Sequence, residues 1–143
     1  MKTEVSIVDR YAKADPWGRI DIILLNYSNF LEIVDGCEES LKFLIVNERR
    51  INRKRSLGDL GVRVQSSGMG DKTAQEAIDI IMLDEAIRSK DYEIELKGTD
   101  CPEKHREEIE ILYDMRDDYS LVRSQMKMLP VNESILLSEY LTE

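Results

Sequence analysis

From Pro16 onward the apolar positions fall in steps of three and four, which is the period of a helix with one wet face. Ile20, Leu24, Tyr27, Leu31 and Val34 set the phase, and Leu41, Leu44, Ile45 and Ile51 resume it. Asp15-Pro16 supplies the start, since Asp can cap the first free amides and Pro is tolerated at the first helical position. Gly36 sits inside this seam and costs about 1 kcal/mol against Ala in a helix. The spacing therefore predicts one helix over about 16–55, or two hinged near Gly36, and the unbroken phase favours continuity. Roughly four heptads of seam are long for an internal core, so a homodimer or a large partner interface is expected there.

Residues 56–72 read as a loop, because Gly58, Gly61, Gly68 and Gly70 fall within them. Val62 and Val64 alternate with Arg63 and Gln65 as a short extended piece would. Thr73-Ala74-Gln75-Glu76 then has the form of a capping box, opening a helix over about 74–97. Within it Asp91 to Lys97 alternates strictly, the pattern of a strand, yet Gly98 stands where a left-handed cap glycine ends a helix. A strand there would need Val5–Val8 or Val62–Val64 as a partner, and helix is the preferred reading. Asp100-Cys101-Pro102-Glu103 opens a helix over about 102–129, which Pro130 stops. Asn132 can cap a last helix over 131–141. The expected fold is all-α, with a variant that has one short strand pair as the alternative: a single helical domain over 1–143, an elongated antiparallel bundle of coiled-coil-like helices.

Charge changes the picture. The 29 acidic and 20 basic residues give a net charge of −9. Residues 1–70 hold 10 acids and 11 bases, net +1; residues 71–143 hold 19 and 9, net −10. The bases crowd into Arg49, Arg50, Arg53, Lys54 and Arg55, a spot that reads first as a solvated helix end and second as a partner-binding patch. Glu103, Glu107, Glu110, Asp114 and Asp117 follow one another at steps of 4, 3, 4 and 3 on the face opposite Ile109, Leu112, Tyr119, Val122, Met126 and Leu129. That acidic stripe would be about 21 Å long. A solvated face is its ordinary meaning. Carboxylates one turn apart are also about 6 Å from one another, near the spacing of successive phosphates, so the stripe is a candidate for occupying another protein's basic groove. Direct DNA binding by so acidic a surface is disfavoured.

The chemistry-bearing motifs are few. Ser66-Ser67-Gly68-Met69-Gly70-Asp71-Lys72-Thr73 ends like a phosphate loop, but Asp71 and Ser66 stand where that loop needs glycine. His105 is the sole histidine and reads as a surface residue, without a partner for a triad or a metal. Glu107-Glu108 and Asp117-Asp118 lack the spacing of a carboxylate metal site. No catalytic activity, cofactor or metal is expected. Cys37 and Cys101 read as ordinary thiols of a cytoplasmic protein, and Met1 to Val5 does not open a secretory signal. Apolar runs of at most four residues exclude a membrane-spanning helix.

One likeness is carried by particular segments. Leu25-Asn26-Tyr27-Ser28-Asn29-Phe30-Leu31 with its basic end, the loop Val62 to Thr73 and helix Ala74–Ile78, and the tail Met128 to Leu141 follow one another in an order that resembles phage late-gene regulators of the ArpU and RinA type, helical proteins of Firmicutes phages and prophages. The resemblance implies a helical scaffold and a place in a bacterial host cell. The DNA-reading helix pair of such regulators would follow Tyr140-Leu141, so the resemblance transfers no binding residue. Two functions are expected on these grounds. One is a non-catalytic phage-type regulator that binds a protein, such as the transcription machinery; the other is an acidic DNA mimic, anti-CRISPR-like, that blocks a nucleic-acid-binding defence effector.

Overall fold

The computed structural model describes residues 6–58 and 69–142. Val5, Val62, Val64 and the Ser66–Gly68 part of the phosphate-loop-like segment lie outside the described residues. Among those described there are seven helices and no strand: α1 Ile7–Lys13, α2 Pro16–Leu25, α3 Phe30–Gly58, α4 Met69–Ser89, α5 Glu93–Leu96, α6 Pro102–Lys127 and α7 Val131–Thr142. The fold is an all-α helical bundle. No helix among the described residues is long and apolar enough to cross a membrane. The chain divides into two compact units, Met1–Glu38 with Glu108–Glu143, and Glu39–Glu107.

The caps show which local signals act. The Asp15 carboxylate accepts from the Gly18 amide at 2.7 Å, with Pro16 next in the chain, so α2 starts where expected. It stops at Leu25, and this corrects the expectation of a continuous helix or a hinge at Gly36. The break is Asn26-Tyr27-Ser28-Asn29. Short polar side chains there compete for the backbone, and the Asn26 amide donates to the Ile22 carbonyl at 2.9 Å. Gly36 lies inside α3 without interrupting it.

α4 begins at Met69, so Thr73 sits inside the helix and the expected capping box does not form. Its Glu76 instead meets Arg50 of α3. α4 also ends at Ser89 rather than near 97. Lys90 turns left-handed at φ 60°, its amide bonding to the Ile87 carbonyl at 3.2 Å and the Asp91 amide to Ala86 at 3.0 Å, a Schellman closure. The alternating stretch then resolves as the one-turn α5. It buries Tyr92 and Leu96, four apart, and leaves Ile94 exposed, which a strand could not do. Gly98 at φ 88° follows, in the left-handed region that favours glycine. α6 starts at Pro102 while Asp100 accepts from the Asn52 side chain at 3.0 Å, and Asn132 lies within α7 instead of capping it.

The first unit packs Tyr11, Ile23, Phe30, Val34, Ile109, Leu112 and Met115. Phe30 stacks on Tyr119 at 5.6 Å between centroids, and Tyr27 meets Tyr119 at 5.5 Å. Arg116 closes this side, donating to Asp35 at 2.7 Å and to Glu38 at 3.0 Å. The second unit packs Leu41, Ile45, Val46, Leu83, Ile87, Tyr92 and Leu96, with Lys42 paired to Asp84 at 2.8 Å. The buried phase of α3 is therefore Phe30, Val34, Leu41 and Ile45. Leu31, Leu44 and Ile51, assigned to the seam from their spacing, stay 38–47% exposed.

Gly36 gives a direct check on α3. A Cβ there would meet nothing within 4 Å, so Gly36→Ala is expected to stabilise the protein by about 0.5–1 kcal/mol. Urea unfolding measures this, and a loss of stability would contradict an uninterrupted helix.

Candidate functional site

The acidic residues singled out by sequence all lie on α6, and the basic ones all lie on α3. Glu103 and Glu107 belong to the second unit; Glu110, Asp114 and Asp117 belong to the first. All five are exposed, as expected of a face opposite Ile109 and Leu112. Asp114, however, is drawn into the fold. The Arg19 guanidinium lies 3.9 Å away, anchored by its Nε donating to the Tyr11 carbonyl at 3.1 Å and lying over the Tyr11 ring at 4.8 Å. Partial burial still raises the Asp114 carboxyl above its ordinary range; Arg19 acts against this, and Asp118, Glu110 and Asp117 add to it. The ion pair is long and half exposed, so burial and like charge win. Neighbouring Asp118 accepts the Tyr11 hydroxyl, and burial followed by that carboxylate pushes the Tyr11 phenol well up. Tyr113 is pushed up to about 12 by burial, then by the charges of Glu110 and Glu38.

The basic patch is also partly consumed. Arg49 pairs with Glu95 at 2.9 Å, and Arg50 pairs with Glu76 while donating to Asn47 at 2.9 Å. Arg49, Arg50, Arg53 and Lys54 line a cavity of about 180 Å³, but Glu76 and Asp79 line it too. Carboxylates facing into the cavity oppose a phosphate there. Arg55 lies exposed beyond it.

His105 corrects the expectation of a surface histidine. It is 3% exposed, with Nε2 at 2.8 Å from a carboxylate oxygen of Glu48. Its Nδ1 is buried without a protein partner. The acid that holds it comes from α3, 57 positions away in sequence, where spacing arguments do not reach. Among the described residues no group of three or more His, Cys, Asp or Glu side chains is placed to hold a metal ion. Cys37 is half-buried, which raises its thiol, and Cys101 is exposed.

No family model, curated protein or solved structure matches the chain. The site has to be read from its own surfaces.

The surfaces with the most unused interaction energy are apolar. In the second unit, α4 buries Leu83 and Ile87 on one side. Ile78, Ile81 and Met82 lie on the other, 49–58% exposed and roughly 160–260° around the helix from Leu83. α3 repeats the arrangement: Leu41 and Ile45 are buried, while Phe43, Leu44 and Ile51 are 40–59% exposed on the far side. A cavity of about 300 Å³ opens between Phe43, Leu44, Asn47 and α4 residues Glu76 and Ile80. In the first unit, an open groove of about 720 Å³ runs between α2 and α6. Ile20 and Leu24 of the expected seam meet Val122 and Met126 there, beside Leu121 and Leu129.

Two outcomes follow from these contacts. His105→Ala and Glu48→Ala are each expected to cost about 2–4 kcal/mol in urea unfolding, with a coupling of about 1–3 kcal/mol in the double-mutant cycle; additive losses would mean the pair is not formed. The folded-state pKa of Asp114 is raised, so its penalty is fully present above that pKa and vanishes below the ordinary carboxylate range. Asp114→Asn should therefore raise the melting temperature slightly at pH 7 and give no gain at pH 3, the effect being small because the side chain is 52% exposed.

Proposed function

We propose that this chain is a non-catalytic regulatory protein of the phage type that acts by binding another protein, and that the apolar second faces of α3 and α4 are the contact surface. The observation that carries the reading is the two-sided apolarity of α4. Large apolar side chains on a second face of a packed helix mark an interaction surface, and Ile78, Ile81 and Met82 are 49–58% exposed among the described residues. With Phe43, Leu44 and Ile51 of α3 they supply a set of large side chains, aromatic and Met included, of the kind that forms the centre of a protein interface. The order of segments that resembles late-gene regulators supports bacterial transcription machinery as the class of partner.

The acidic-mimic reading has less behind it. A phosphate mimic works through carboxylates free to meet a partner's bases, whereas Asp114 lies 3.9 Å from the Arg19 guanidinium of its own chain.

Affinity capture from a bacterial lysate separates the two. Ile81→Asp with Met82→Asp should lower capture of the partner at least tenfold while leaving the melting temperature within a few degrees, because both side chains are already half exposed. A variant neutralised at Glu107, Glu110, Asp114 and Asp117 should capture it as the wild type does. The reverse pattern would overturn the reading in favour of the acidic face.

A further inference from the structure

The first unit carries a second apolar surface, independent of the one just proposed. α7 has no buried residue, and its polarity is inverted. Its half-buried positions are Ser134, Leu137, Ser138 and Leu141, whereas Val131, Ile135, Leu136 and Tyr140 are 51–74% exposed. Leu137 lines the 720 Å³ groove of its own chain. Leu136 and Tyr140, one turn apart, project from a flank roughly 60–100° away from Leu137, so they cannot fill that groove from where they stand. One unit thus holds both an open apolar groove and an apolar ridge, and neither satisfies the other within a single chain.

We propose that a second copy of this chain docks here, the Leu136–Tyr140 flank of α7 from each copy lying in the groove between α2 and α6 of the other. A two-fold pair satisfies both features at once, because the same patch appears on each side and every contact is made twice. The area is sufficient. Leu136 and Tyr140 of the ridge, Ile20, Leu121 and Leu129 of the groove lining, and Trp17 and Met128 next to lining residues in sequence are 37–78% exposed. Together they present on the order of 600 Å² of apolar surface at ordinary side-chain areas. A stable dimer covers about 800 Å² per partner, of which roughly 65% is apolar, or about 500 Å². The groove holds about 720 Å³, and most of the residues that line it are apolar.

The test is the mass in solution, by light scattering on the full chain across a concentration series. Wild type should be dimeric by about 100 µM, the weak end of what such an area supports. Leu136→Asp with Tyr140→Asp on the ridge, and separately Leu121→Asp in the groove, should each weaken association at least tenfold, with helix content unchanged because these side chains are 60–74% exposed. Mixing the two variants gives the decisive arm. A mixed pair keeps one intact ridge-in-groove contact, so it should associate at least tenfold more tightly than either variant alone. A wild type that stays monomeric throughout overturns the proposal without reference to any variant. Association that survives both sets of substitutions, or a mixture no tighter than its components, overturns it equally.

Discussion

The constraint on which this structure depends is that its helices carry more apolar surface than the described residues cover. Among the described residues 15 hydrophobic side chains are buried and 18 large ones are exposed, so the uncovered set outnumbers the core. Scattered single exposures would mean little, but here they gather on second faces of helices whose first faces are already packed. α4 is the clearest instance, with Leu83 and Ile87 inside and Ile81 and Met82 opposite. α7 is the extreme, touching its own unit through two serines and two leucines. Each unit thus packs one face of its helices and leaves a second apolar face exposed among the described residues.

Charge plays the supporting part. Acids that make residues 71–143 so negative are in several cases fixed to bases from the first half of the chain. Asp84 holds Lys42, Glu95 holds Arg49 and Glu76 holds Arg50. Within the first unit the direction reverses, and Arg116 gathers Asp35 and Glu38. These pairs are partly shielded, which makes them worth more than fully exposed ones. They also take up part of the basic spot, while the residues of the acidic stripe all stay exposed. The spot loses Arg49 and Arg50 to pairing, and the stripe gives Asp114 to the vicinity of Arg19.

Much of the local structure was legible because its causes are local. Asp15-Pro16, Pro102, Pro130 and Gly98 act through their own backbone geometry, and each marks a helix limit in the structure. The features that escaped depend on partners distant in sequence or on weak competitors. The break at Asn26 to Asn29 comes from short polar side chains, which compete with the helix too weakly to show against a continuing apolar period. Glu76 left its box for Arg50, and His105 went inside for Glu48, contacts that only the packed second unit brings together. The apolar period marks helices, but its positions do not form one seam. Phe30, Val34, Leu41 and Ile45 went inward, and Leu31, Leu44 and Ile51 were left out. Spacing gives the period of a helix but not which of two apolar faces the core takes. The candidate surfaces were legible to the same extent: the residues were visible, their exposure was not.

The central claim, that uncovered apolar helix faces and not the charged patches carry the interactions of this protein, is tested most directly by photo-crosslinking in living bacterial cells. A photoreactive side chain is placed singly at Ile81, at Tyr140, at Arg53 and at Asp117, all solvent-facing in the structure. The account expects an adduct with a different protein from Ile81 and an adduct of doubled mass from Tyr140, with little from Arg53 or Asp117. Strong adducts from Asp117 or Arg53, with none from Ile81 and Tyr140, would contradict it.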